Sequence, residues 1–79
     1  MTVSVVVIVR FKPSVLEPQG KAVLHSLEDS GATDISSVRI GKYIELQVES
    51  SSENEALKRA EEIAEQVLAN PVTETYSVQ

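Results

Sequence analysis

The side chains able to do covalent or acid–base chemistry are few in this chain and poorly placed for it. Cysteine is absent, so there is no thiolate nucleophile and no thiolate metal ligand. A Ser-His-Asp arrangement would have to run through His25, the only histidine. His25 lies between Leu24 and Ser26, in no nucleophile context, and a solvated helix histidine is expected. Carboxylates that could pair as acid and base occur as Glu28/Asp29, Glu53/Glu55 and Glu61/Glu62/Glu65. They fall on outward helix positions, where solvation and capping account for them. The three glycines are far apart, so no loop cradles a phosphate. Two local clusters remain, Lys12-Pro13 through Pro18-Gln19-Gly20, and Arg39-Ile40-Gly41-Lys42-Tyr43. Both join rigid backbone to positive charge. They read equally as fixed turns with solubilising charges or as an interaction surface.

The elements that would carry these clusters form one domain, residues 1–79. A chain this short buries only about 60–65% of its unfolded surface. Small domains usually need disulfides, a metal or a partner subunit. The composition leaves self-association as the way to enlarge the core. Net charge is −5 and the pI about 4.7, which argues against a nucleic-acid partner. No segment reaches the roughly 20 apolar residues of a membrane span. The run Val5 to Val9 is too short for a signal-peptide core and follows no basic stretch, so a cytoplasmic address is expected.

Residues 3–11 are dense in β-branched side chains, and a strand is expected there. Apolar residues point to both of its faces, which marks a central strand. Pro13 ends it, and Pro18 suits the first turn of a helix running to about Ser30. Val23 and Leu27, with Ala22 and Leu24, form its apolar stripe, and Gly31 is its stop. Gly41-Lys42 suits a type II′ turn, which predicts a hairpin of Val38-Arg39-Ile40 against Tyr43 to Val48, its register blurred by a bulge or longer loop. Ser52-Glu53-Asn54-Glu55 reads as a capping box. The helix it opens places Ala56, Leu57, Ala60, Ile63, Ala64, Val67 and Leu68 on one face. Asn70-Pro71 closes it, and residues 72–78 alternate as a last strand.

The order β-α-β-β-α-β is that of a ferredoxin-like α+β two-layer sandwich. It predicts a four-stranded antiparallel sheet of order 4-1-3-2 with both helices on one face. Nothing in the chain is then left to cover the other face, where Val6 and Ile8, or their counterparts in Val5 to Val9, would point and where the second hairpin strand is expected to add more apolar residues. An oligomer, homodimer or tetramer, follows as the expectation. Other functions of the same plan fit poorly. An RNA-binding version needs stacking aromatics and a basic surface, and this chain has Phe11, Tyr43 and Tyr76 in an acidic background. A ligand-sensing regulatory dimer of this fold stays open as the alternative.

At the two clusters the chain resembles a known family. Residues Lys12-Pro13-Ser14-Val15-Leu16-Glu17-Pro18-Gln19-Gly20-Lys21-Ala22 look like the first-loop signature of PurS, the small subunit of phosphoribosylformylglycinamidine synthase. Val38 to Leu46 resembles that family's second signature, and Leu68-Ala69-Asn70-Pro71-Val72 its third. Glu17 departs from the pattern, since many relatives carry Asp there, and a slightly weaker N-cap is expected.

The resemblance implies a part of an ATP-dependent glutamine amidotransferase ligase of purine biosynthesis. That complex makes formylglycinamidine ribonucleotide from formylglycinamide ribonucleotide, glutamine and ATP with Mg2+. The implied partners are a second copy of the chain, the glutaminase subunit PurQ and the large synthetase subunit PurL. The small subunit joins the two and helps keep ammonia from escaping. It binds no cofactor and has no catalytic residues of its own. Lys12, Pro13, Leu16, Pro18 and Gly20, with Arg39, Gly41, Lys42 and Tyr43, are the expected contact residues.

Overall fold

The computed structural model describes all residues 1–79. Its elements are β1 (Thr2–Phe11), α1 (Pro18–Asp29), β2 (Lys42–Glu49), α2 (Glu53–Ile63), a π-helical turn (Ala64–Leu68) and β3 (Glu74–Val78). The strands form one antiparallel sheet of order β2-β1-β3. The central place of β1 agrees with its two apolar faces. Val3, Val5, Val7 and Val9 share a face with Val48, Leu46, Ile44 and Lys42 of β2, their direct partners. On the other side of β1, Val7 pairs with Val78 and Val9 with Tyr76.

Helix α2 covers this face. Ala56, Ala60 and Ala64 are fully buried beneath it, against Val5, Val7 and Val9. Alanine at every fourth position lets the helix lie close to the strands, and each buried valine contributes about 1.5–3 kcal/mol. Ser52 caps the helix by accepting from the Glu55 amide at 3.2 Å. The reciprocal half of the box is diverted, because the Glu55 carboxylate takes the Ser51 hydroxyl instead. Past Ile63 the helix widens, and the Ala69 amide donates to the Ala64 carbonyl five residues back at 2.9 Å. The extra residue shifts the buried row from Ala64 to Ala69. Val67, expected on the buried face, is therefore 72% exposed.

The sheet has three strands and not four. Val38-Arg39-Ile40 form no strand, and no hairpin exists at Gly41. A type II′ turn needs a positive φ at its first central residue, and Gly31, at φ 96°, is the only residue with one. Gly41 serves close packing instead: a Cβ there would collide with the Val9 carbonyl oxygen. The expected order survives in part, since β3, β1 and β2 take the places of strands 4, 1 and 3. The outer edge of β2 is left unpaired.

Nor do both helices cover the sheet. α1 makes no substantial packing contact with it. The helix projects as an arm, and residues 32–41 return without regular structure to enter β2. The radius of gyration is 16.2 Å, against about 12 Å for a compact domain of this length. On α1 only Gly20 is buried, and Val23 of the apolar stripe is exposed. The sheet face opposite α2 is also less apolar than expected. Val6 and Ile8 lie there, half-buried, opposite Glu45, Tyr43 and Ser77. Ile44, Leu46 and Val48 point to the α2 side and remain half-exposed where a second helix would have lain.

Candidate partner interface

The two clusters meet where β1 ends and β2 begins. Their junction is built around Glu17, a residue only 3% exposed. Glu17 is the N-cap of α1. One carboxylate oxygen accepts from the Gln19 amide at 2.8 Å, and the other accepts from the Gly20 amide and, at 3.3 Å, from the Ile40 amide. A buried carboxylate is tolerable only when hydrogen-bonded, and two backbone donors at the helix N-terminus and one from the segment entering β2 supply that. Glutamate here is thus more than a weaker cap. It ties the first loop to the segment entering β2, a second-segment contact not foreseen from the cap rule. Gly20 sits against the same segment, where a Cβ would collide with the Val38 carbonyl oxygen. The Arg39 guanidinium donates to the Lys12 carbonyl at 2.9 Å. These bonds hold Val38-Arg39-Ile40 against the loop and keep it from pairing with β2.

Beside this knot lies a cleft of about 620 Å³ lined by Arg10, Phe11, Pro13, Ser37, Arg39, Ile40 and Gly41. Pro13, Arg39 and Gly41 of the expected contact residues line it, and Lys12 and Gly20 buttress it. Leu16 is 70% exposed and Tyr43 65% exposed, and neither lines the cleft, nor do Pro18 and Lys42. Tyr43 lies opposite Ile8, on the sheet face away from α2, whereas Lys42 pairs with Val9 on the α2 side. The cleft adds Arg10, Phe11 and Ser37, which lie outside the two clusters, and Ile40, which lies within the second cluster but not among the expected contact residues. Arg10 had a signal: it is the one charged residue on a strand otherwise free of charge. The one Lys or Arg side chain within ion-pair distance of a carboxylate is Arg59, 3.0 Å from Glu62, and His25 lies 3.5 Å from Asp29, so Arg10, Lys12, Arg39 and Lys42 neutralise no carboxylate.

Another group of titratable side chains spans the end of α2, the π-helical turn and β3. Tyr76 donates to Glu65 at 2.9 Å. That bond, with slight desolvation and the charges of Glu65 and Glu61, raises the phenol above its usual value. Glu61, Glu62 and Glu65 are exposed on this outer surface, as solvated helix carboxylates should be.

Fold and junction together define a class: a small α+β module that presents a braced cationic surface on an acidic body. The chain belongs to the PurS family. The family model for PurS, phosphoribosylformylglycinamidine (FGAM) synthase, matches residues 4–79. The Synechocystis PurS subunit is 46% identical over 68 residues, covering 86% of this chain and 68% of its own. The Bacillus subtilis subunit is 44% identical over 70 residues, covering 89% and 82%. The solved B. subtilis PurS superposes with a TM-score of 0.84 at 42% identity, covering all of this chain and 96% of that one. A chain in the structure of PurLQS from Thermotoga maritima superposes with a TM-score of 0.90 at 26% identity, covering 100% and 96%. The protein is a subunit of FGAM synthase, a ligase of purine biosynthesis.

Proposed function

We propose that this chain is the non-catalytic connector of the synthase, joining a glutaminase subunit, PurQ, to the large synthetase subunit, PurL. The observation that carries the reading is the full-length similarity to a chain of the Thermotoga PurLQS structure. The absence of any constellation for nucleophilic or acid–base chemistry in the sequence agrees with it. Ammonia released from glutamine is lost by diffusion and protonation in water, so the two active sites must face each other across a closed path. A rigid small subunit can set that geometry. ATP, Mg2+ and glutamine are then used by the partners.

Self-association belongs to the same proposal. The apolar stripe of α1 is not laid on its own sheet, and Ile44, Leu46 and Val48 are incompletely covered. A second copy can supply what each lacks, either arm on sheet or edge on edge. Sedimentation equilibrium at micromolar concentration should give a dimer or tetramer, and a clean monomer would count against this part.

Reconstitution tests the connector role. Omitting the chain should abolish glutamine-dependent synthesis of formylglycinamidine ribonucleotide and spare synthesis from added ammonium. Glutamine-dependent synthesis that proceeds equally well without it would refute the reading. Substituting Arg39→Glu and Lys42→Glu should weaken capture of both partners.

A further inference from the structure

We infer that the cleft between the end of β1 and the segment entering β2 docks an acidic peptide segment of a partner protein. This rests on the connector reading and names the chemistry of one of its contacts. Arg10 and Arg39 supply two guanidinium forks, and Phe11, Pro13 and Ile40 supply an apolar lining between them. Lys12 and Lys42 adjoin in the chain. These four cations are more than half of the seven lysines and arginines, and none is in an ion pair. The rest of the molecule is strongly acidic, so its field turns an acidic partner away everywhere except at this end.

Magnitude decides between a peptide and a small anion. Arg10 and Arg39 are both exposed. One exposed ion pair strengthens binding by less than about fivefold. Two such pairs leave a lone phosphate or carboxylate weakly held. A segment that sets several carboxylates on these cations and an apolar side chain on Phe11 and Ile40 sums many small terms. The volume of about 620 Å³ accommodates a few side chains. Arg39 is already held by the Lys12 carbonyl, so less side-chain freedom is lost on binding.

The test is a titration of the full chain with a glutamate-rich peptide carrying one leucine, followed by NMR of the backbone amides. Signals of Phe11, Ser37 and Gly41 should shift, and the shift should weaken with salt. Arg10→Glu should reduce affinity roughly tenfold or more, Arg10→Lys should restore most of it, and Lys58→Glu on α2 should change little. The exposed Arg10 side chain is in no ion pair, and its replacement leaves the backbone pairing of Arg10 with Thr75 in place, so the fold is spared. No shift, or equal loss with Lys58→Glu, would overturn the inference. So would equal shifts from inorganic phosphate at the same concentration, which would mark a simple anion site. Capture of the partner subunits separates the two readings. Wild-type capture left unchanged in Arg10→Glu removes the docking cleft and keeps the connector. Wild-type capture of neither subunit removes the connector, and the peptide titration still judges the cleft.

Discussion

Replacing Glu17 probes the junction most directly. In Glu17→Ala the amides of Gln19, Gly20 and Ile40 lose their acceptor. An N-cap is worth about 1 kcal/mol. The Gly20 amide is buried, and leaving a buried donor unpaired costs about 1–3 kcal/mol. The third bond is long and only partly buried, so it adds less. The loss should be about 2–4 kcal/mol in all, a large fraction of the stability of a chain this short. Thermal denaturation followed by circular dichroism should fall by roughly 8 °C or more. Glu17→Asp separates cap from brace. Aspartate keeps the bonds to Gln19 and Gly20 but is one methylene short of Ile40. Its cost should be about 0.5–1.5 kcal/mol, and hydrogen exchange should speed up at the Ile40 amide alone. Equal damage from both replacements, or unchanged exchange at Ile40 in Glu17→Ala, would refute the reasoning.

Gly41→Ala should destabilise by about 1–3 kcal/mol in urea denaturation, because its methyl group meets the Val9 carbonyl oxygen; a neutral result would return Gly41 to an ordinary loop. Val67→Lys should alter stability by no more than about 0.5 kcal/mol, whereas Ala64→Lys, at a fully buried position, should cost several-fold more. Equal costs would mean that the π-helical turn does not rotate Val67 outward. Spectrophotometric titration in a Tyr43→Phe background should place the Tyr76 phenol above about 10, and Glu65→Gln should bring it back toward that value. Because the folded-state value is raised, any stability from this bond is complete below the unfolded value and is lost as pH rises through the folded one.

Much of the fold was legible in local patterns. The β-branched run of β1, Pro18 at a helix start, Gly31 at its stop and Ser52 at the second cap each act through their own backbone, and each stands where it was expected. The three family motifs likewise identified the family, because they depend on residue identity and order. Of the expected contact residues, Pro13, Arg39 and Gly41 line one cleft with Ile40 of the same cluster, while Arg10, Phe11 and Ser37 reach it only through folding. Leu16 and Tyr43 share their motifs but stand outside the cleft.

The misread parts share a cause. Glycine beside lysine signals a tight turn, yet Gly41 is small because β1 passes close to it. Val38-Arg39-Ile40 have strand composition, but Glu17, Gly20 and Arg39 hold them to the loop. The helical spacing of Ala64 and Val67 held until one inserted residue turned the next row. Residue type and spacing by themselves determined two helices and three of the four expected strands, where the helices begin, the acidic charge and the family. Tertiary structure alone decided that the sheet stops at three strands, that α1 stands off it as an arm, and that Arg10 and Arg39 meet at one cleft. Those outcomes depend on which distant groups compete for the same hydrogen bonds and the same space, and local periodicity does not record that competition.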